Sequence, residues 1–181
     1  VDGRRRRSVV MNYPERTQEL SEWCVRTYTP ADIIEHLEEE VVEMLEAFDE
    51  LNNHTEESVK HFVEELVDVR IEINTVKALI NRPDLVSALS VETLIPSSLR
   101  KQAYSTLSMI KRVRRKRESL ENLICSLLDL HVEVDDMLSK FDQQLVSKME
   151  NAKLNKFNFA LHTANDKREG NSRVQRYFCF I

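Results

Sequence analysis

The stretch "IIEHLEEEVVEMLEAFDE", Ile33 to Glu50, carries eight acidic residues in eighteen, yet apolar residues recur through it at helical spacing. At about 100° per residue, Leu37, Val41, Met44 and Phe48 fall in one narrow stripe, which predicts an amphipathic helix with that stripe toward a core. On the same wheel Glu38, Glu39, Glu46 and Glu50 point toward solvent. Glu40 and Glu43 lie at the edge of the apolar face, where burial is partial. Two readings compete for the edge acids: solvated residues that support the helix through i,i+4 pairs, or carboxylates held for chemistry.

Helix signals continue on both sides. Upstream, "TPAD" supplies Thr29 as N-cap, Pro30 at the first helical position and Asp32 three residues after the cap, which predicts a helix to about Leu51. Before it, "YPERTQELSEWCVRTY" spaces Leu20, Trp23, Cys24 and Tyr28 as a helix does. Downstream, "NNHTEES" is a polar break with Thr55 as a second cap, predicting a third helix from about Glu57 to Ile80. Residues Pro83 to Ser98 read as a connector. A long helical region with one break near its middle is expected from about Leu99 to Met149.

Composition agrees with this pattern. Two glycines and four prolines in 181 residues starve turns and sheets, so the expected fold class is an all-α helical bundle. Residues 1–14 are expected to be a basic arm outside the fold, disordered or vector-derived, with Met11 a candidate native start. Residues 15–160 form a single domain, with 81–118 an insertion, and 161–181 a tail. The net charge of −5 disfavours nucleic-acid binding by the fold as a whole. Three scattered cysteines without metal-ligand spacing predict reduced thiols. No apolar run approaches the ~18 residues of a membrane span, and the basic N-terminus lacks a signal-peptide apolar segment. A cytoplasmic protein with no membrane partner is expected.

An internal repeat gives the edge acids their meaning. "HLEEEVVEMLEAF" (His36–Phe48) matches "HFVEELVDVRIEI" (His61–Ile73) at a shift of 25 residues, pairing His36 with His61, Glu39 with Glu64, Glu40 with Glu65 and Glu43 with Asp68. In the second copy Phe62, Leu66, Val69, Ile73, Val76 and Ile80 form the apolar stripe, and Glu65 and Asp68 lie at the same offsets as Glu40 and Glu43. Chance similarity between two acidic amphipathic helices is the competing account. Four carboxylates converging at a half-buried position repel one another unless a cation sits among them. A hard divalent ion, Mg²⁺ or Mn²⁺, suits all-oxygen ligands, so Glu40, Glu43, Glu65 and Asp68 are the candidate metal ligands. Di-iron bundles use Glu-x-x-His pairs, and no Glu in this chain has a His three residues later. His36 and His61 are read as packing or capping residues.

At these residues the chain resembles the MazG-like members of the all-α NTP pyrophosphatase superfamily, marked by E-E-x-x-E on one helix and E-x-x-D on the next. Here these are Glu39-Glu40-Val-Val-Glu43 and Glu65-Leu-Val-Asp68, with the Trp-bearing first helix and the Pro-containing start of the second also similar. "SKMENAKLNKF" resembles the family's Lys-rich phosphate-contacting segment, with Lys148 the best match. The likeness covers residues 15–80 and, more weakly, 125–157. It departs where Asn151 stands one position early and Asn155 replaces a basic residue, with Lys153 and Lys156 as substitutes. Glu72 occupies a place where relatives often carry an aromatic that packs on the base.

The resemblance implies Mg²⁺-dependent hydrolysis of a nucleoside triphosphate to NMP and pyrophosphate. Glu39 and Glu40 would be the catalytic residues, with Glu39 behind the metal or on a second ion. Lys148, Lys153 and Lys156 would contact phosphates, and Trp23 and Glu72 would lie near the base. A homo-oligomer, dimer or tetramer, is expected both from the resemblance and because two long apolar-striped helices need more cover than their own hairpin provides. The alternative function is a non-catalytic helical interaction protein. Its binding element would be the basic run "KRVRRKR" (Lys111–Arg117), six positive charges in seven residues, which leaves an anionic partner such as nucleic acid open.

Overall fold

The computed structural model describes residues 13–81 and 98–166, and within them the chain is an all-α bundle. The helices are α1 (Tyr13–Thr27), α2 (Pro30–Glu50), α3 (Glu56–Ile80), α4 (Leu99–Arg114), α5 (Leu120–Ser139) and α6 (Gln143–Asp166), with a 3₁₀ turn at Leu51–Asn53 between α2 and α3. The basic arm through residue 12, the connector at 83–97 and the tail beyond Asp166 lie outside the described residues.

Local sequence sets the helix starts. Thr29 is extended (φ −74°, ψ 156°), and its hydroxyl accepts from the Asp32 N–H at 3.2 Å. The Asp32 carboxylate in turn accepts from the Thr29 N–H at 3.1 Å. The same reciprocal box closes α3, with Thr55 and Ser58 bonded at 3.0 and 3.2 Å. Each box satisfies two amide donors that the first helical turn cannot.

The C-terminal half differs from the expected long helix with one break. It breaks twice, at Arg115–Ser119 and at Lys140–Asp142. Ser119 caps α5 by accepting from the Asn122 N–H at 3.3 Å. Asp142 accepts from the Gln144 N–H at 2.9 Å as α6 begins. Both stops rest on short polar side chains that compete for backbone donors, and α6 then runs past the expected boundary at 160.

α3 is the central element: α1, α2, α5 and α6 all pack on it, while α4 packs on α2 and α5. The single stripe expected for α3 therefore understates its burial. Phe62, Leu66, Val69, Ile73 and Val76 are buried as expected, but so are Val63, Val67 and Ile71 on its other sides. A helix apolar nearly all round is one enclosed by neighbours. Besides α2, the helices α1, α5 and α6 of the same chain cover α3. α4, from the segment set apart at 81–118, buries Leu99, Ala103, Thr106 and Ile110 and so belongs to the core.

A polar clasp ties three elements together on one side of α3. Arg70 is ion-paired with Glu150 of α6, lies 3.4 Å from Asp135 of α5 and donates to the Tyr13 hydroxyl of α1 at 3.1 Å. Among the described residues no helix is long and apolar enough to cross a membrane.

Candidate metal centre

The repeat becomes a geometric fact in the α2–α3 hairpin. Side chains meet in the order His36 with Glu72, Glu40 with Glu65 and Glu50 with His61, so the helices run antiparallel with equivalent faces opposed. Glu40, Glu43 and Glu65 each offer an oxygen within 4.8 Å of the other two. Glu40 and Glu65 are only 5% and 7% exposed, whereas Glu43 is exposed and forms the mouth of the group.

Asp68 is buried beside them but is ion-paired with Lys153 of α6, whose ammonium also lies 3.3 Å from Glu64. The expected cage of four carboxylates is thus a triad, plus an aspartate that already holds an internal cation.

The electrostatics follow from this crowding. Burial, reinforced by Glu65 and Glu43, pushes the Glu40 carboxyl up to about 8. Burial and Glu43 raise Glu65 as well. Burial likewise lifts Glu72 to about 8, with Glu40 adding to it. Asp68 is raised well above an ordinary aspartate by burial, against the pull of Lys153. Burial works against the Lys153 charge, yet Asp68 and Glu64 keep that ammonium protonated to higher pH than usual. Glu40, Glu65, Glu72 and Asp68 are four neighbouring acids that resist ionisation, as expected where carboxylates outnumber the cations among them.

The histidines are polar partners of the acids rather than packing or capping residues. His36 places Nε2 at 3.4 Å from Glu40 and 3.5 Å from Glu72, with Nδ1 at 3.7 Å from Glu39. Burial holds its imidazole below the ordinary range. His61 repeats the arrangement one helix later, with Nε2 at 3.3 Å from Glu65 and Nδ1 at 2.8 Å from Glu50. Its hydrogen bond to Glu50 raises it. The signal was present in the repeat as H-x-x-x-E on both helices, a spacing that puts each ring beside the acid one turn on. Glu64 was likewise visible only as a repeat match.

The remaining expected site residues divide. Glu39 sits at the exposed rim, and Glu72 joins the group through His36. Lys148 and Lys156 are exposed on α6, away from any described carboxylate partner. Trp23 is half-buried, edge-on at 5.7 Å to both Tyr28 and Phe157, a packing role that joins α1 to α6. Cys24 and Cys125 are free thiols.

The triad fits a hard divalent cation on two counts. The Oε2 atoms of Glu40 and Glu65 are buried with no hydrogen-bond partner among the described residues, which is costly for carboxylates unless something positive completes them. The donors are also all oxygen, and ligand oxygens around Mg²⁺ stand ~3–4 Å apart, a spacing that side-chain rotation can reach from this one. No family model, no curated protein and no solved structure matches the chain.

Proposed function

We propose that the chain is a Mg²⁺-dependent nucleoside triphosphate pyrophosphohydrolase of the MazG-like kind, converting (d)NTP and water to (d)NMP and pyrophosphate. The observation that supports this reading is the Glu40–Glu43–Glu65 triad with its two buried, unpartnered oxygens. It stands on the register of the E-E-x-x-E and E-x-x-D motifs. Mn²⁺ would substitute for Mg²⁺ at the same oxygens.

Bound there, the ion would neutralise the triphosphate and make a bound water more acidic for attack on the α-phosphorus. The chain's own residues do the rest. Glu40, Glu43 and Glu65 would hold the ion, and Glu40, whose carboxyl is pushed up to about 8, would release its proton to do so. Asp68 and Lys153 form a fixed dipole at the inner wall, with the Lys153 ammonium charged throughout. Glu39, at the rim beside His36, is the proposed acceptor for the proton of the attacking water. As the water oxygen bonds to phosphorus, the bridging oxygen leaves with the pyrophosphate, whose charge Lys148 and Lys156 would meet from α6. Trp23 and Glu72 remain the proposed neighbours of the base. A dimer or tetramer and a cytoplasmic site of action belong to the same proposal and rest on the resemblance.

The test is pyrophosphate release from a panel of NTPs and dNTPs with Mg²⁺. Turnover of at least one is expected, with Glu43→Ala and Glu65→Gln each lowering it more than ~100-fold. Absence of turnover throughout, together with no calorimetric binding of Mg²⁺ or Mn²⁺, would overturn the reading. Binding without turnover would favour a non-catalytic interaction protein.

A further inference from the structure

α4 has a composition unlike the rest of this acidic chain. Between Leu99 and Arg117 there are eight cationic side chains and no acidic one, in a protein of net charge −5. The structure separates these cations by face. Arg100 is bonded to Asp49 and reaches the Tyr104 hydroxyl, and Arg114 is paired with Glu35 and Glu38 of α2. Those two hold α4 to the bundle. Lys101, Lys111, Arg112 and Arg115 are exposed and ion-paired to nothing among the described residues.

The exposed residues are not scattered. The buried row Leu99, Ala103, Thr106 and Ile110 marks the inner face of the helix. At ~100° per residue, Lys101, Tyr104, Ser108, Lys111, Arg112 and Arg115 all fall within about 70° of the opposite pole. Tyr104 is 56% exposed one turn after Lys101, near the start of that row. The row is ~21 Å long at 1.5 Å per residue. It continues into the turn carrying Lys116 and Arg117, where Lys116 takes a left-handed backbone (φ 53°).

We infer that this face of α4 binds single-stranded nucleic acid, with the cations on successive phosphates and a base stacked on Tyr104. Cations with an interspersed exposed aromatic and hydroxyl are the elements of such a surface. Three alternatives fit less well. A membrane surface needs an apolar wedge beside the basic residues, and the aliphatic side chains of α4 are buried or packed against the core. A duplex has a second backbone, and the adjoining α2 offers it the exposed acid Glu46 rather than further cations. An acidic peptide would use the charges but not Tyr104.

The experiment is fluorescence anisotropy of a labelled 20-nucleotide oligo(dT) with the full chain in EDTA, from 50 to 200 mM salt. With about four phosphate contacts the log–log salt slope is about −3, and affinity falls on the order of 50-fold across that range. Reversing Lys111, Arg112 and Arg115 to Glu should abolish binding. Tyr104→Ala should weaken it about 5- to 100-fold and leave the slope unchanged. The parent affinity surviving in the charge-reversed variant would overturn the inference and assign binding to the Arg4–Arg7 cluster. No binding at 50 mM salt overturns it, as does a 20-base-pair duplex or polyglutamate bound as tightly as oligo(dT).

Discussion

Replacing Glu40 by glutamine separates what the acidic site costs the fold from what it offers a cation. Burial, with Glu65 and Glu43, holds the Glu40 carboxyl up to about 8 against an ordinary 4.5. Because the folded-state value is raised, the stability contributed by Glu40 is fully present below pH 4.5 and is lost as pH rises through about 8. At pH 7 the unfolded chain has released this proton and the folded chain has not. The ~2.5 pH units between, at ~1.36 kcal/mol each, set the folded state back by about 3 kcal/mol. Glutamine has no proton to lose but buries an amide, which returns about 1 kcal/mol. Glu40→Gln should therefore stabilise the metal-free protein by about 2 kcal/mol at pH 7, or ~4–8 °C in Tm for a chain of this size. The assay is urea and thermal unfolding followed by circular dichroism in EDTA at pH 5, 7 and 8.5, repeated with Mg²⁺. Parent and variant should agree within about 1 kcal/mol at pH 5 and diverge above it, and Mg²⁺ should close the gap by stabilising the parent alone. A variant no more stable than the parent at pH 8.5 in EDTA refutes the reasoning, and so does a gap independent of pH.

Three further outcomes follow from the same packing. Lys153→Met strands buried Asp68, so it should cost about 3–5 kcal/mol. Adding Asp68→Asn should recover at least ~1 kcal/mol of that in urea melts, whereas simple additivity would show that the pair is not coupled. His131 Nδ1 lies 2.6 Å from the Lys77 ammonium and its Nε2 3.3 Å from Asp135, and burial with Lys77 holds the ring down to about 4. Its folded value is depressed, so its contribution is present above about pH 6.5 and lost as pH falls toward 4. His131→Gln should gain about 2 kcal/mol on the parent between pH 7 and 4.5, and an unchanged difference would contradict the neutral ring. Leu66→Ala, at a fully buried position on α3, should cost ~2–5 kcal/mol in the same melts, and a loss below ~1 kcal/mol would show α3 is not enclosed as described.

The hairpin was readable because its signals are local. Thr29-Pro30 and Thr55 mark helix starts through hydrogen bonds within four residues, and Leu37, Val41 and Met44 share a face by helical repeat alone. The breaks at Ser119 and Asp142 were equally local, but polar residues there are weaker signals than proline or glycine, and one was missed. The pairing of Glu40 with Glu65 was legible because the motif occurs twice in one register. The roles of His36 and His61 were legible in principle, since each stands one turn before its acid. Spacing alone does not say whether a histidine meets core or carboxylate.

By itself the sequence determined that the chain is helical, where α2 and α3 begin, and that two E-x-x-[E/D] pairs lie at the edges of their apolar faces. Those properties depend on backbone hydrogen bonding and a 3.6-residue repeat, which act over a few positions. Tertiary structure decided which of the acids already holds a lysine. Lys153 lies far along the chain from Asp68, and only the docking of α6 onto α3 brings its ammonium there, leaving Glu40, Glu43 and Glu65 as the group short of positive charge. It also decided that α3 is enclosed by other helices of the chain, and that Arg100 and Arg114 of α4 hold the bundle while Lys101, Lys111 and Arg112 face solvent. Burial and charge pairing are properties of neighbours in space, and the order of residues along one helix does not contain them.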